Sequence, residues 1–160
     1  MDKQEFIRLA ELYMDTVYRI ARAGSRSDAD AEDITQNTFL KLLGRKGSFN
    51  GDEHARRWLI KVAVNEGNML WRKRKREDCF ETVDTLSVPD DFTEKDHELM
   101  SALLKLPPKY RQVLQLYYFE DYSSREIAQL LSISDDTVRT RLSRARVMIK
   151  KELNHDSSGC

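Results

Sequence analysis

Apolar residues recur along this chain at intervals of three and four, the period of a helix buried along one face. From about Lys3 to Arg22 the stripe is Phe6, Leu9, Ala10, Tyr13, Val17, Ile20 and Ala21. Gly24 to Ser27 predicts a turn. A second helix is expected from about Ala29 to Leu43, with Asp28 as its cap and Ile34, Thr38, Phe39, Leu42 and Leu43 on its stripe. Three glycines, with Ser48 and Asn50, make Gly44 to Asp52 a loop. The third helix carries Ala55, Trp58, Leu59, Val62, Ala63 and Met69 as its buried side and runs on into a basic end, Arg72 to Arg76. Three such stripes can share one core, so residues 1–76 are expected to form one domain.

Residues 77–95 show no period and hold Pro89, which predicts a mobile linker. A second domain is expected over 96–154. Leu99, Ala102, Leu103 and Leu106 make a short helix that stops at Pro107-Pro108. Proline is tolerated in the first turn of the next helix, carried by Tyr110, Val113, Leu114, Tyr117 and Tyr118. Ser123 and Glu126 fit a capping box, opening a helix with Ile127, Ala128 and Leu131 inside. After a tight turn, Ser134 can cap a last helix whose Val138, Leu142, Ala145 and Ile149 face inwards. Residues 155–160 are expected to be a disordered tail. The fold class is therefore all-α: two small helical domains joined by a flexible acidic linker.

Composition changes this picture in one respect. The formal net charge is zero, yet the signs are sorted into blocks. Glu53 to Arg76 holds eight Lys/Arg against two acids, Glu77 to Glu98 nine acids against one Lys, and Ser134 to Lys151 six Lys/Arg against two Asp. Two basic segments around an acidic one mean something different from a uniformly neutral surface, and solvated helix faces alone would not sort signs into blocks like this. The two cysteines, Cys79 and Cys160, have no ligand partners at metal spacing, so neither a metal nor a cofactor is implied. Sparse cysteine suits a reducing cytoplasm. No signal peptide is readable, and no apolar run approaches the roughly 20 residues of a membrane span.

The sharpest constellation is Glu126 to Lys151, two helices joined by a few residues with the second rich in arginine, the helix-turn-helix arrangement. With Val138, Leu142 and Ala145 inward, Arg139, Thr140, Ser143 and Arg144 project outward, supplying guanidinium forks and hydroxyls for base edges and phosphates. Asp135 and Asp136 lie in the first turn, which leaves most of these arginines without an acid one turn away. The third helix shows Arg56, Arg57 and Lys61 ahead of its basic end, with Trp58 and Trp71 nearby. Charge for a backbone and flat rings for unstacked bases are what melting DNA requires. Trp58 falls on the apolar stripe and reads as core, leaving Trp71 as the surface aromatic.

These segments resemble the sigma-70 family of RNA polymerase sigma factors, in its small extracytoplasmic-function type. Asp30 to Leu42 is similar to the polymerase-binding helix of the family's second region. Trp58 to Asn65, leading into Arg72 to Arg76, is similar to its promoter-melting part. Leu106 to Arg111, Tyr118 to Ser123, Glu126 to Ala128 and Thr137 to Arg146 resemble the fourth region, in the expected order. The resemblance implies that Asp33, Gln36 and Phe39 dock on core RNA polymerase. It implies that Phe49, Asn50, Arg56, Arg57, Lys61, Asn65, Arg72 and Arg74 open and hold the minus-ten element of promoter DNA. Arg139, Thr140, Ser143 and Arg144 would enter the major groove at the minus-thirty-five element. Asn37 departs from the family's usual acid, and Met69 stands where an Asp often follows the asparagine by four. An anti-sigma factor is the further partner implied, with action in the cytoplasm and no small-molecule substrate.

Two other classes compete. A stand-alone helix-turn-helix regulator of operator DNA would need a sensing or dimerising domain, where residues 3–76 instead carry a second basic track. An enzyme would need a constellation that is missing. His54, His97 and His155 are assigned to loop, linker and tail, and Asp28, Asp30, Glu32 and Asp33 point different ways around a helix.

Overall fold

The computed structural model describes the backbone of residues 1–76, 86 and 94–158, and the side chains of 1–75, 86 and 97–154; every regular element among them is helical. The acidic stretch expected as a linker, with Cys79 and Pro89, lies outside the described residues apart from Leu86 and the helical Glu94 and Lys95. Cys160 and the side chain of His155 lie outside them as well. The chain divides into two compact units, Met1–Thr85 and Leu86–Cys160.

In the first unit, helices α1 (Lys3–Ala23), α2 (Asp28–Leu43) and α3 (Asp52–Arg76) each touch the other two. Leu9, Val17 and Ile20 of α1, Ala31, Ile34 and Leu42 of α2, and Leu59, Ile60 and Ala63 of α3 are almost fully buried. Each large aliphatic among them stabilises the fold by about 1.5–3 kcal/mol through burial alone. Thr35 and Thr38 enter this core because each hydroxyl donates to a carbonyl of its own helix, those of Ala31 and Ile34, at 2.7 Å.

Two local expectations change. The cap of α2 is Ser27, whose Oγ accepts the N–H of Asp30 at 3.1 Å; Asp28 is already helical, 3.8 Å from Arg22. The backbone decides this, since Ser27 is extended while Asp28 has entered the helix. On α3 the buried arc is Ala55, Leu59, Ile60, Ala63 and Val64. Packing against two helices turns it by one residue, leaving Trp58 and Val62 half-buried and Met69 53% exposed. In the α2–α3 loop, Gly47 and Gly51 take φ of +89° and +103°, conformations that a side chain would strain.

The second unit comprises α4 (Glu94–Leu104), α5 (Pro108–Leu114), α6 (Ser124–Leu131) and α7 (Asp135–Ser158). Its core is Ala102, Leu103, Leu106, Tyr110, Val113, Leu116, Ile127, Val138, Leu142 and Ala145; Leu99, expected inside, is exposed. Buried Arg111 donates to the Leu104 carbonyl at 3.0 Å, tying α5 to the end of α4. Helix α5 then widens into one π turn over Gln115–Phe119. The extra residue breaks the helical register, so Tyr117 and Tyr118, expected on the buried stripe, point to solvent with Phe119, while Leu116 and Tyr122 fill the core. Helix α7 continues to Ser158, beyond the point where a disordered tail was expected to begin.

Gly67 lies inside α3, and a Cβ there would stand 3.6 Å from Ile34 Cδ1, an ordinary contact. Gly67→Ala is therefore expected to raise the stability of the first unit by about 1 kcal/mol, through helix propensity. A urea midpoint that falls in this variant would show that the α2–α3 packing has no room for the methyl.

Candidate nucleic-acid interfaces

On α7 the inward residues Val138, Leu142 and Ala145 are at most 3% exposed, and Arg139, Thr140, Ser143 and Arg144 are all exposed on the other side. Local chemistry holds this helix in place. Ser123 and Glu126 complete a reciprocal capping box at 3.1 and 3.0 Å, and Ser132 ends α6 in the left-handed conformation (φ 57°). Ser134 Oγ then accepts the N–H of Thr137 at 3.0 Å. The result is a two-helix turn that presents one basic face. Arg139 does find an acid one turn away, bonding Asp135 at 2.9 Å, which is exposed and weak. Arg144 has no hydrogen bond or ion pair within the chain among the described residues. Arg146, by contrast, is tied down: its Nε donates to Tyr118 Oη at 2.6 Å, and its guanidinium lies over the Tyr117 and Tyr118 rings.

The second surface is the α2–α3 loop with the outer side of α3. The Phe49 ring stands edge-on to His54 and Trp58, with centroids 5.2 and 5.6 Å away. Arg45 stacks 3.9 Å over Phe49 and 5.4 Å from Trp58. Trp58 is thus a half-buried wall of an aromatic cluster and not the core residue its stripe suggested. His54 belongs to the first turn of α3 and His97 to α4, so neither lies in the loop or linker the sequence indicated. Asn50 is exposed beside the cluster, and Arg57, Lys61, Asn65 and Arg72 follow on exposed positions of α3, four to seven residues apart. Arg56 and Arg57 both engage Glu53 at 3.1 Å, with the Arg56 side chain largely covered.

Helix α3 is pinned at both ends from elsewhere in the unit. At its start, Arg8 of α1 bonds Asp52 at 2.8 Å as well as Glu5, and Tyr13 Oη donates to the Asp52 carbonyl at 3.0 Å. The hydrogen bonds from Arg8 outweigh an opposing effect of desolvation and, helped by its charge, hold the Glu5 and Asp52 carboxyls below their ordinary range. The clasp is complete above the ordinary carboxylate range and is lost as pH falls through the lowered values. Towards its end, Arg74 pairs with the buried carboxylate of Asp30 on α2, and Arg26 lies 5.0 Å over the half-exposed Trp71 ring. The expected DNA-facing role of Arg74 meets an obstacle here, since its guanidinium is committed inside the unit. Arg72 remains exposed.

The outer face of α2 carries Asp33, Gln36 and Asn37, all exposed. Phe39 does not join them: its ring is 7% exposed and packs in the core. The apolar side chain that does share their face is Leu40, 64% exposed, with Leu43 a turn further at 47%. Leu40 was left off the α2 stripe in sequence but given no role, because the resemblance placed Phe39 at this face; Leu43, expected on the stripe, is exposed with it. The signal for Leu40 was its i+3, i+4, i+7 relation to Asn37, Gln36 and Asp33. No group of three or more His, Cys, Asp or Glu capable of holding a metal occurs among the described residues.

Two family models match the chain: Sigma-70 region 2 over residues 9–77 and Sigma-70, region 4 over residues 96–149. The chain is 31% identical to the RNA polymerase sigma factor SigV of Bacillus subtilis over 156 residues, 96% of this chain and 87% of that protein. It is also 31% identical over 160 residues to the RNA polymerase sigma-E factor of Streptomyces coelicolor, covering 96% and 86% of the two chains. The ECF RNA polymerase sigma factor SigW of Bacillus subtilis is 28% identical, with 95% and 90% covered. In fold it is similar to the sigma factor RpoE from Bartonella quintana, solved with the anti-sigma factor NepR, at a TM-score of 0.76 and 23% identity over 96% of this chain and 99% of that one.

The Asp30–Arg74 pair is testable on the chain alone. Arg74→Ala leaves a buried carboxylate without its partner and is expected to lower stability by about 2 kcal/mol, with Arg72→Ala close to neutral. Equal denaturation midpoints for the two variants would contradict the pairing.

Proposed function

The chain belongs to the sigma-70 family of RNA polymerase sigma factors, in its extracytoplasmic-function type, and from that premise we propose a division of labour among three surfaces. As a member it is an initiation factor and not an enzyme: it binds core RNA polymerase and directs promoter-specific transcription. The upstream, minus-thirty-five element is read by α7 through Arg139, Thr140, Ser143 and Arg144. The minus-ten element is opened and held by Phe49 and Asn50 of the loop with Arg57, Lys61, Asn65 and Arg72 of α3. Arg56 and Arg74 support that surface from behind, through Glu53 and Asp30.

Core polymerase docks on the outer face of α2, through Asp33, Gln36, Asn37 and Leu40, with Phe39 as the buried support that aims them. An exposed apolar centre within a polar rim is the usual anatomy of a protein interface. Asn37 supplies a hydrogen bond where a charge is usual in the family. The observation that carries the DNA assignment is the sidedness of α7: a fully buried spine with all four reading residues exposed opposite it.

The two helical units, with the acidic segment 77–95 between them, suit control by an anti-sigma factor, the kind of partner bound by the sigma factor of similar fold. The site of action is the cytoplasm, where core polymerase resides. Among the described residues no helix is long and apolar enough to cross a membrane.

Arg144→Ala is expected to weaken promoters dependent on the upstream element by about 2 kcal/mol, the worth of one guanidinium-to-base contact, without changing co-elution with core polymerase. Leu40→Asp should do the reverse, abolishing co-elution while the isolated chain keeps its helicity. If Leu40→Asp co-elutes normally, the α2 assignment is wrong. If Arg144→Ala fails at core binding, the three surfaces are not separate.

A further inference from the structure

We propose that His54 is a positioning residue for promoter opening: its neutral imidazole holds the α2–α3 loop in the shape that presents Phe49 and Asn50, and protonation releases that loop. The inference rests on the assignment of this loop to the minus-ten element.

His54 is the third residue of α3, the place from which a Glu or Gln side chain often reaches back to an amide just before a helix. Here an imidazole does so. Its Nδ1 accepts the backbone N–H of Asn50 at 2.9 Å. The same ring meets Phe49 edge-on at 5.2 Å and 90°. One side chain thus fixes the backbone of one loop residue and the ring of its neighbour. Elsewhere in the loop Arg45 donates to the Gly47 carbonyl at 3.0 Å, while the glycines at 47 and 51 adopt positive φ and carry no side chain to pack, so His54 supplies the tie to the Asn50 backbone. Arg45 and Trp58 meet the same Phe49 ring, so holding that ring helps to hold the whole cluster.

The bond exists in one protonation state. A neutral imidazole with a bare Nδ1 accepts; an imidazolium donates from both nitrogens and cannot accept the Asn50 amide. A positive ring in the first turn also faces the positive end of the helix dipole. The charged and titratable groups at this end of α3 do not supply a free anion to offset it. Asp52 is engaged by Arg8 of α1, which also holds Glu5, and Tyr13 of α1 binds the Asp52 carbonyl. Glu53 is engaged by Arg56 and Arg57, and the loop contributes the cation of Arg45. Protonation therefore turns the tie between His54 and Asn50 into a repulsion between two donors.

Two readouts test this on the full chain. In the free protein, ¹⁵N-labelled, the Asn50 amide is followed by NMR between about pH 5 and 8, together with the His54 ring protons. Both are expected to move with one midpoint, and the Asn50 amide to lose exchange protection on the acid side. With core polymerase and a promoter of this chain, permanganate reactivity then reports opening. His54→Gln keeps an acceptor that does not titrate, so it should open promoters as wild type does at high pH; as pH falls its profile follows polymerase's own pH dependence, and wild type should drop below it. His54→Leu should open about five-fold less than His54→Gln at every pH, the loss of one ordinary hydrogen bond, with co-elution unchanged, so that its deficit against wild type is seen at high pH and closes on the acid side. An Asn50 amide that ignores the His54 titration overturns the proposal, as does a His54→Leu variant that opens normally. The underlying assignment fails separately: Phe49→Ala and Asn50→Ala opening promoters at wild-type levels would remove the loop from the minus-ten element while leaving the amide coupling intact.

Discussion

The long helix α3 can act as a platform only because it is held at both ends by charges from other helices. Arg8 clasps Asp52 at its first residue, and the buried Asp30 receives Arg74 near its last. A helix of 25 residues spans about 37 Å, more than α1 and α2 can cover along its whole length. Without the second clasp its basic end would extend from the core with little to oppose fraying. The Asp30 carboxylate therefore supports the surface proposed for the minus-ten element without belonging to it. Burial makes this pairing directional: a carboxylate removed from water needs its partner more than an exposed arginine needs its acid.

The second unit solves a similar problem by local means. The capping box at Ser123, the left-handed Ser132 and the Ser134 cap fix the angle between α6 and α7 within a few residues. The π turn before them serves packing: it places Leu116 and Tyr122 in the core while moving Tyr117 and Tyr118 out to hold Arg146. Arg146 is thereby withdrawn from the face that Arg139 and Arg144 share. Of the exposed arginines on α7, Arg139 is paired with Asp135 and Arg146 with Tyr118, while Arg144 makes no hydrogen bond or ion pair among the described residues, which makes it the sharpest probe of that face.

Much of this was legible in the sequence because helices announce themselves through period and caps, and the capping box at Ser123 and Glu126 is a purely local signal. The exposed quartet of α7 followed directly from its buried spine. What escaped were features that depend on a third element. Asp30 and Arg74 are 44 residues apart, and no local rule joins them. The exposure of Met69 and the half-burial of Trp58 follow from α3 packing on two helices at once, which shifts its buried arc. Phe39 was a different kind of miss: the α2 stripe already set it inside and left Leu40 off, yet the resemblance assigned Phe39 to the outer face. The π turn defeats any reading by a fixed period, so Tyr117 and Tyr118 were assigned inward. The capping role of His54 stayed hidden because the loop was extended to Asp52, where the helix already begins.

The central claim, that two separate surfaces of one chain lend polymerase its choice of promoter, is tested most directly by run-off transcription of fragmented host DNA. Core polymerase is used with and without this chain, and the new RNA starts are mapped. The account predicts new starts, each preceded by two shared sequence elements at a constant separation. Starts sharing a single element, or no new starts although the chain co-elutes with core polymerase, would contradict it.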